Sequence, residues 1–203
     1  MFDSRIRPLI DPPLDRCARA LAAAGVTANG LTIAGFVLGL AAATAIALGH
    51  TFLGGGLFLA GRLADGLDGP VSRKTESTDL GGYLDIVFDF AIYAAIPLAF
   101  ALCDPSANAL PAAFLLAAIV ANGSAFLAFA VMAEKRALET KAQGTKSLYF
   151  LAGLAEGTET VAIYTAMCVW PEYFSLLAIA FASLCVASAI GRIALAVRAL
   201  RTP

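Results

Sequence analysis

The chain is predicted to be an all-α polytopic membrane protein, with six transmembrane helices preceded by an N-terminal amphipathic helix on the membrane surface. Three observations predict this. Hydrophobic residues make up 60% of the 203 residues and charged ones 14%, and mean hydropathy is +0.80, a composition that excludes an ordinary soluble domain. The apolar residues fall into six runs of membrane length separated by short polar links. Basic residues gather in alternate links, which sorts them to one face. Residues 1–203 therefore read as one membrane domain, with 1–26 as an amphipathic juxtamembrane segment and 27–203 as a six-helix bundle.

Residues 1–26 set Arg5, Arg7, Arg16 and Arg19 among Ile6, Leu9, Ile10, Leu14, Ala18, Leu21 and Ala22. After the Pro12-Pro13 break the apolar positions recur at helical spacing, as in a helix lying on an anionic leaflet. The start lacks the ordered features of a cleaved leader, so no removable signal peptide is expected. Thr27-Ala28-Asn29 supplies capping residues for a first span from Leu31 to about Leu48, uncharged and long enough to cross at ~1.5 Å per residue.

The second run, near Phe52 to Val71, is interrupted by Arg62, Asp65 and Asp68. A third, from Gly81 or Gly82 to Leu102, contains Asp85, Asp89 and Pro97. The fourth covers roughly Ala109 to Met132, the fifth Ser147 to Val169, and the sixth Phe174 to about Leu200. Trp170-Pro171-Glu172-Tyr173 has the make-up of an interfacial turn. Cys17, Cys103, Cys168 and Cys185 are far apart, form no Cys-x-x-Cys pair and have no His nearby, which argues against a metal site and predicts small buried hydrophobes.

Arg5, Arg7, Arg16, Arg19, Arg73, Lys74, Lys135, Arg136, Lys141, Lys146, Arg198 and Arg201 fall at one face, while the links near 50, 105 and 172 carry no Lys or Arg. The positive-inside rule then places both termini, and the Asp65 to Asp89 stretch, on the cytoplasmic side of a bilayer, read as a bacterial inner membrane.

That stretch carries the chemistry. Acids beside or within apolar membrane runs are costly unless something cationic compensates them. Asp65 and Asp68 are three apart and Asp85 and Asp89 four apart, so each pair shares a helix face and an antiparallel helix pair aims four carboxylates at one point. Carboxylates so close repel unless cations neutralise them. Two Mg²⁺ or Mn²⁺ ions suit an all-oxygen donor set and retain room for substrate phosphates. Gly66 and Gly69 leave space beside the acids, Arg73 is suited to pairing with a phosphate, and Gly81 and Gly82 let the third helix stay close to the second.

The pattern D-x2-D-G-x2-[AS]-R followed by G-x3-D-x3-D, here Asp65, Asp68, Gly69, Arg73, Gly81, Asp85 and Asp89, resembles the signature of the CDP-alcohol phosphatidyltransferases. Ser72 stands where the family usually has Ala, and the spacer from Arg73 to Gly81 is one residue short of the commonest form, which leaves Gly82 as the alternative. Thr27-Ala28-Asn29-Gly30-Leu31-Thr32 is similar to the segment that opens the family's first membrane helix. The resemblance implies a homodimer of six-helix subunits with a cytoplasmic-side cavity. It implies CDP-diacylglycerol as donor and a small alcohol as acceptor, with CMP as leaving group and no nucleic-acid partner. By the same resemblance Asp65, Asp68 and Asp85 are the main metal ligands, and Asp89 is both ligand and base. Gly69, Arg73 and Gly81, with Asn29 and Thr32, serve the cytidine diphosphate.

Other polar residues bear on the acceptor. Glu156 and Glu159 share a face of the fifth run, either as acids in a polar cavity or against Arg62 or Arg192, or as lining of an acceptor site. Lys135, Arg136 and Arg192 are suited to a phosphate on the acceptor, although flanking charge explains the first two equally well. Asn122 and Ser124 are expected to tie helices together. Two rival readings are a cation transporter, which needs acids spread along a path rather than clustered at one mouth, and an inactive scaffold of the same family, against which all four aspartates are present.

Overall fold

The computed structural model describes residues 3–135 and 157–201, with side chains from residue 12 onward. Every regular element among the described residues is helical. Seven α-helices follow in order: α1 (Asp3–Ala23), α2 (Ala28–Ala47), α3 (Thr51–Ser72), α4 (Asp79–Cys103), α5 (Pro105–Lys135), α6 (Gly157–Val169) and α7 (Phe174–Arg201), the last preceded by a 3₁₀ turn at Pro171–Tyr173.

Among the described residues, four segments are long and apolar enough to cross a bilayer: α2, α4, α5 and the stretch Pro171–Arg201. The two other expected spans differ for physical reasons. α3 has the length, at 22 residues, but carries Arg62, Asp65 and Asp68. α6 is described over 13 residues, and the expected start of its run at Ser147 lies outside the described residues. Large apolar side chains face outward as well as inward: Val37, Leu40, Leu98, Leu110, Phe114, Val120, Ile179 and Ile190 are all exposed. Soluble proteins avoid such continuous apolar exterior, so the chain is an integral membrane protein.

The first element departs from expectation. α1 is a continuous helix through Pro8, Pro12 and Pro13, not one that begins after the Pro pair. Proline removes hydrogen-bond donors, but its fixed φ is itself helical, so the chain can keep its course. α1 packs against α3, buries Ala18, and pairs Asp15 with Lys74 in the α3–α4 link. The Lys74 hydrogen bond holds the Asp15 carboxyl below the usual carboxylate range. The cysteines divide: Cys168 and Cys185 are buried as expected, whereas Cys17 on α1 and Cys103 at the end of α4 are exposed.

Local sequence explains the ends of the elements. Thr27 caps α2 by accepting from Gly30 N at 3.1 Å, and Thr78 caps α4 by accepting from Gly81 N at 3.1 Å. α2 stops at Gly49, whose φ of +85° favours glycine. There His50 N donates to Ala45 O at 2.8 Å and Gly49 N to Ile46 O at 2.9 Å, closing the orphan carbonyls. Asp104 opens α5 by accepting from Ala107 N at 3.1 Å and Ser106 Oγ at 2.7 Å. At 31 residues α5 is ~46 Å long, so it outruns a ~30 Å hydrocarbon core and carries exposed Glu134 and Lys135 clear of it.

The core lies where α3, α4, α5, α6 and α7 meet, around Phe58, Ile92, Ile96, Leu115, Tyr164 and Phe181. Tyr164 is fully buried and donates to Tyr93 O at 2.7 Å. At the opposite end of the bundle from the aspartates, Phe100 stacks on Phe174 at 4.5 Å. Trp170 and Tyr173 stay exposed at that end, as an interfacial turn requires.

The contact that positions the site is between α2 and α3. A Cβ on Gly61 would lie 2.9 Å from Gly35 O, and one on Gly35 would lie 3.0 Å from Gly61 O and 3.6 Å from the Asp65 Cβ. Two backbones therefore meet directly, one turn from the first aspartate. Gly61→Val is expected to cost about 1–3 kcal/mol, because the atoms in the way are backbone and cannot rotate aside. A lowered midpoint of thermal unfolding in detergent checks this, and an unchanged midpoint would refute it.

Candidate active site

The last third of α3 and the first half of α4 carry the acids, and α2 packs against both helices. Helical spacing puts Asp65 and Asp68 on one face of α3, and the short link 73–78 folds α4 back so that Asp85 meets them. Carboxylate oxygens of Asp65, Asp68 and Asp85 lie within 4.8 Å of one another, all three side chains half-buried. Their donors are hard oxygens, the chemistry that Mg²⁺ or Mn²⁺ takes. The donor set therefore fits a divalent ion.

Helix α2 supplies a supporting group. Thr32, buried on α2, donates from Oγ1 to Asp68 Oδ2 at 2.6 Å. Asn29, one turn earlier, lies against the start of α4: a Cβ on Gly81 would fall 2.6 Å from Asn29 Oδ1, while one on Gly82 would meet nothing. Close approach thus singles out Gly81, not Gly82, as the position with no room for a side chain. Arg73, exposed at the end of α3, folds back so that its Nη1 lies 3.6 Å from where a Gly69 Cβ would be. Gly69 and Arg73 form one surface at the mouth of the cluster.

Asp89, beside the other three, is paired with Arg62. Its Oδ1 accepts from Arg62 Nη1, and the same nitrogen lies 3.6 Å from Asp65 Oδ2. The Arg62 guanidinium is also held between rings, 5.9 Å from the Phe58 centre and 5.8 Å from the Tyr93 centre. The sequence sets Arg62 or Arg192 opposite Glu156 or Glu159; in the structure Arg62 pairs with two of the signature aspartates. The available signal was its place three residues before Asp65, on the same face of α3.

Next to Asp89 opens a cavity of about 110 Å³ between α4, α5, α6 and α7. Phe90 and Tyr93 line it on the Asp89 side, with Asn122 and Phe126 from α5, Thr160 from α6 and Arg192 from α7. Arg192 is buried, its guanidinium 5.1 Å over the Phe126 ring. Asn122, expected to tie helices, turns to this cavity, and Ser124 is exposed. Glu159 is half-buried in the first turn of α6. Lys135 is exposed at the end of α5, and Arg136 and Glu156 lie outside the described residues.

The CDP-alcohol phosphatidyltransferase family model matches residues 25–198. The inner membrane protein YnjF of Escherichia coli (strain K12) is 42% identical over 185 residues, 91% of this chain and 90% of that protein. The archaetidylinositol phosphate synthase of Pyrococcus horikoshii is 38% identical over 100 residues, 49% of this chain and 53% of that protein. Among solved structures, the phosphatidylinositol phosphate synthase of Mycobacterium tuberculosis with CDP-DAG bound superposes with a TM-score of 0.64 at 22% identity, covering 90% of this chain and 92% of that one. The same enzyme in complex with manganese and citrate gives a TM-score of 0.66 at 22% identity, covering 90% and 88%. At that identity the likeness is one of fold.

Proposed function

This chain belongs to the CDP-alcohol phosphatidyltransferase family, and on that footing we propose that it moves a phosphatidyl group from CDP-diacylglycerol to a phosphorylated alcohol, releasing CMP. The observation that carries the reading is the convergence of Asp65, Asp68 and Asp85 beside Asp89, at the edge of a half-open, mostly apolar cavity that Asn122 and Arg192 help to line. Asp65, Asp68 and Asp85 would hold a divalent ion, with Thr32 fixing the direction of Asp68. Such an ion, when bound, neutralises charge on the pyrophosphate of the donor.

The remaining roles belong to side chains. Arg73 pairs with the donor's phosphates, and Gly69, Asn29 and Gly81 leave the surface open for the nucleotide. Asp89 takes the proton of the acceptor hydroxyl. The acceptor oxygen then bonds to the phosphorus that carries the lipid, and the bond from that phosphorus to the CMP oxygen breaks. The donor's acyl chains stay in the bilayer, and the acceptor sits in the cavity between Asp89 and Arg192. The Arg192 guanidinium lines that cavity, and a guanidinium suits a phosphate on the acceptor. The bundle spans the membrane six times with the site on the cytoplasmic side of an inner membrane, α3 crossing with its acids at one mouth.

The test is to incubate the purified protein with CDP-diacylglycerol, Mn²⁺ and a panel of free and phosphorylated alcohols while following CMP. Release that depends on a phosphorylated alcohol is expected. Release with free alcohols alone would refute the acceptor class, and none with any acceptor would refute the transferase reading.

A further inference from the structure

One wall of the cavity beside Asp89 is a ring that rests in a gap in the next helix. Phe90 follows Asp89 on α4, its ring lies over Gly123 of α5, and both residues line the cavity. A Cβ on Gly123 would overlap Phe90 Cε1 and lie 2.7 Å from its Cζ and 3.3 Å from its Cδ1. The ring therefore fills the notch that the missing side chain leaves. It has no retreat along α4: Tyr93 stands edge-on to it at 6.4 Å, and Tyr164 backs Tyr93, also edge-on, at 6.4 Å. The atoms in the way at Gly123 are the free edge of a side chain, not backbone as at Gly61. A side chain at Gly123 would turn the ring out of its notch, and the open space beside it is the cavity.

A second observation marks the same turn of α5 as facing a ligand. Asn122, which precedes Gly123, lines the cavity, and its buried Oδ1 has no hydrogen-bond partner among the described residues. A buried acceptor left unpaired is costly, and a ligand hydroxyl would relieve that cost.

We propose that Phe90, seated against Gly123, is the specificity-determining residue that limits the bulk of the acceptor alcohol, and that Gly123 is the positioning residue that holds the ring back. The assignment rests on the transferase reading above. It makes acceptor size a property of the contact between α4 and α5, separate from the groups that bind the donor.

The experiment follows CMP release by the full-length protein in detergent with CDP-diacylglycerol and Mn²⁺. Two acceptors are compared, glycerol phosphate with its three-carbon chain and inositol phosphate with its six-membered ring. The readout is the ratio of kcat/KM for the bulky acceptor to that for the slim one. Phe90→Leu is expected to raise this ratio about tenfold and Gly123→Ala to lower it about tenfold, the scale on which a pocket discriminates by a methylene. KM for the donor should hold in both variants. When Phe90→Leu is combined with Gly123→Ala, the shorter side chain leaves the added Cβ its room, and the ratio should return toward that of wild type. Two unrelated packing defects would add instead of cancelling.

A ratio that moves in neither single variant, or that rises in Gly123→Ala, would overturn the assignment and leave the transferase reading standing. No CMP release from wild type with either acceptor would overturn that reading and the assignment with it. If Gly123→Ala fails to fold, Phe90→Leu decides alone: a raised ratio supports the assignment and an unchanged one refutes it.

Discussion

Asp89→Asn is expected to lower CMP release by roughly 10²- to 10⁴-fold, the usual contribution of a positioned general base. The amide keeps the shape of the carboxylate but gives up its proton affinity, so the acceptor hydroxyl would attack without help. Folding should survive, since Arg62 retains Asp65 at 3.6 Å and its place between Phe58 and Tyr93. The measurement is steady-state CMP release alongside the thermal unfolding midpoint. A near-native midpoint with lost turnover fits the role; full turnover would remove Asp89 as base.

Excess chelator is expected to stop turnover altogether, a loss of at least about a thousandfold, with recovery on adding Mn²⁺. Three carboxylates within 4.8 Å repel one another, and a substrate bringing two phosphates adds further negative charge. Arg62 and Arg73 bring two positive charges, set against four aspartates before the substrate arrives. Substituting a ligand makes the same point from the protein side: Asp85→Asn should weaken Mn²⁺ binding and turnover together. Sustained CMP release in chelator would refute the metal assignment.

The acidic helix pair was legible in the sequence because polar residues in an apolar helix are expensive and few, so each one carries information. Asp65, Asp68 and Asp85 meet as helical spacing predicts. The pairing of Arg62 with Asp89 was not legible. It joins residues on two helices whose relative rotation and depth depend on packing, and Asp89 could have faced the other acids equally well on spacing alone. The cavity was half visible: Arg192 stood out as a charge deep in an apolar run, while Asn122 was expected only to tie helices and Thr160 gave no signal; four helices place both around one space. α1 runs unbroken through Pro12 and Pro13, where the sequence suggests a break, because the ring's fixed φ is itself helical and does not by itself turn the chain.

The backbone contact of Gly35 with Gly61 has a consequence for how the molecule can vary. Where two helices touch through their main chains, their separation no longer depends on the size of any side chain. The outward residues of the same helices, Val37 and Leu40 on α2 with Leu59 and Leu63 on α3, are exposed and take no part in setting that distance. The protein's lipid-facing coat can therefore be refitted to a thicker, thinner or stiffer bilayer while the gauge of its acidic cluster stays the same.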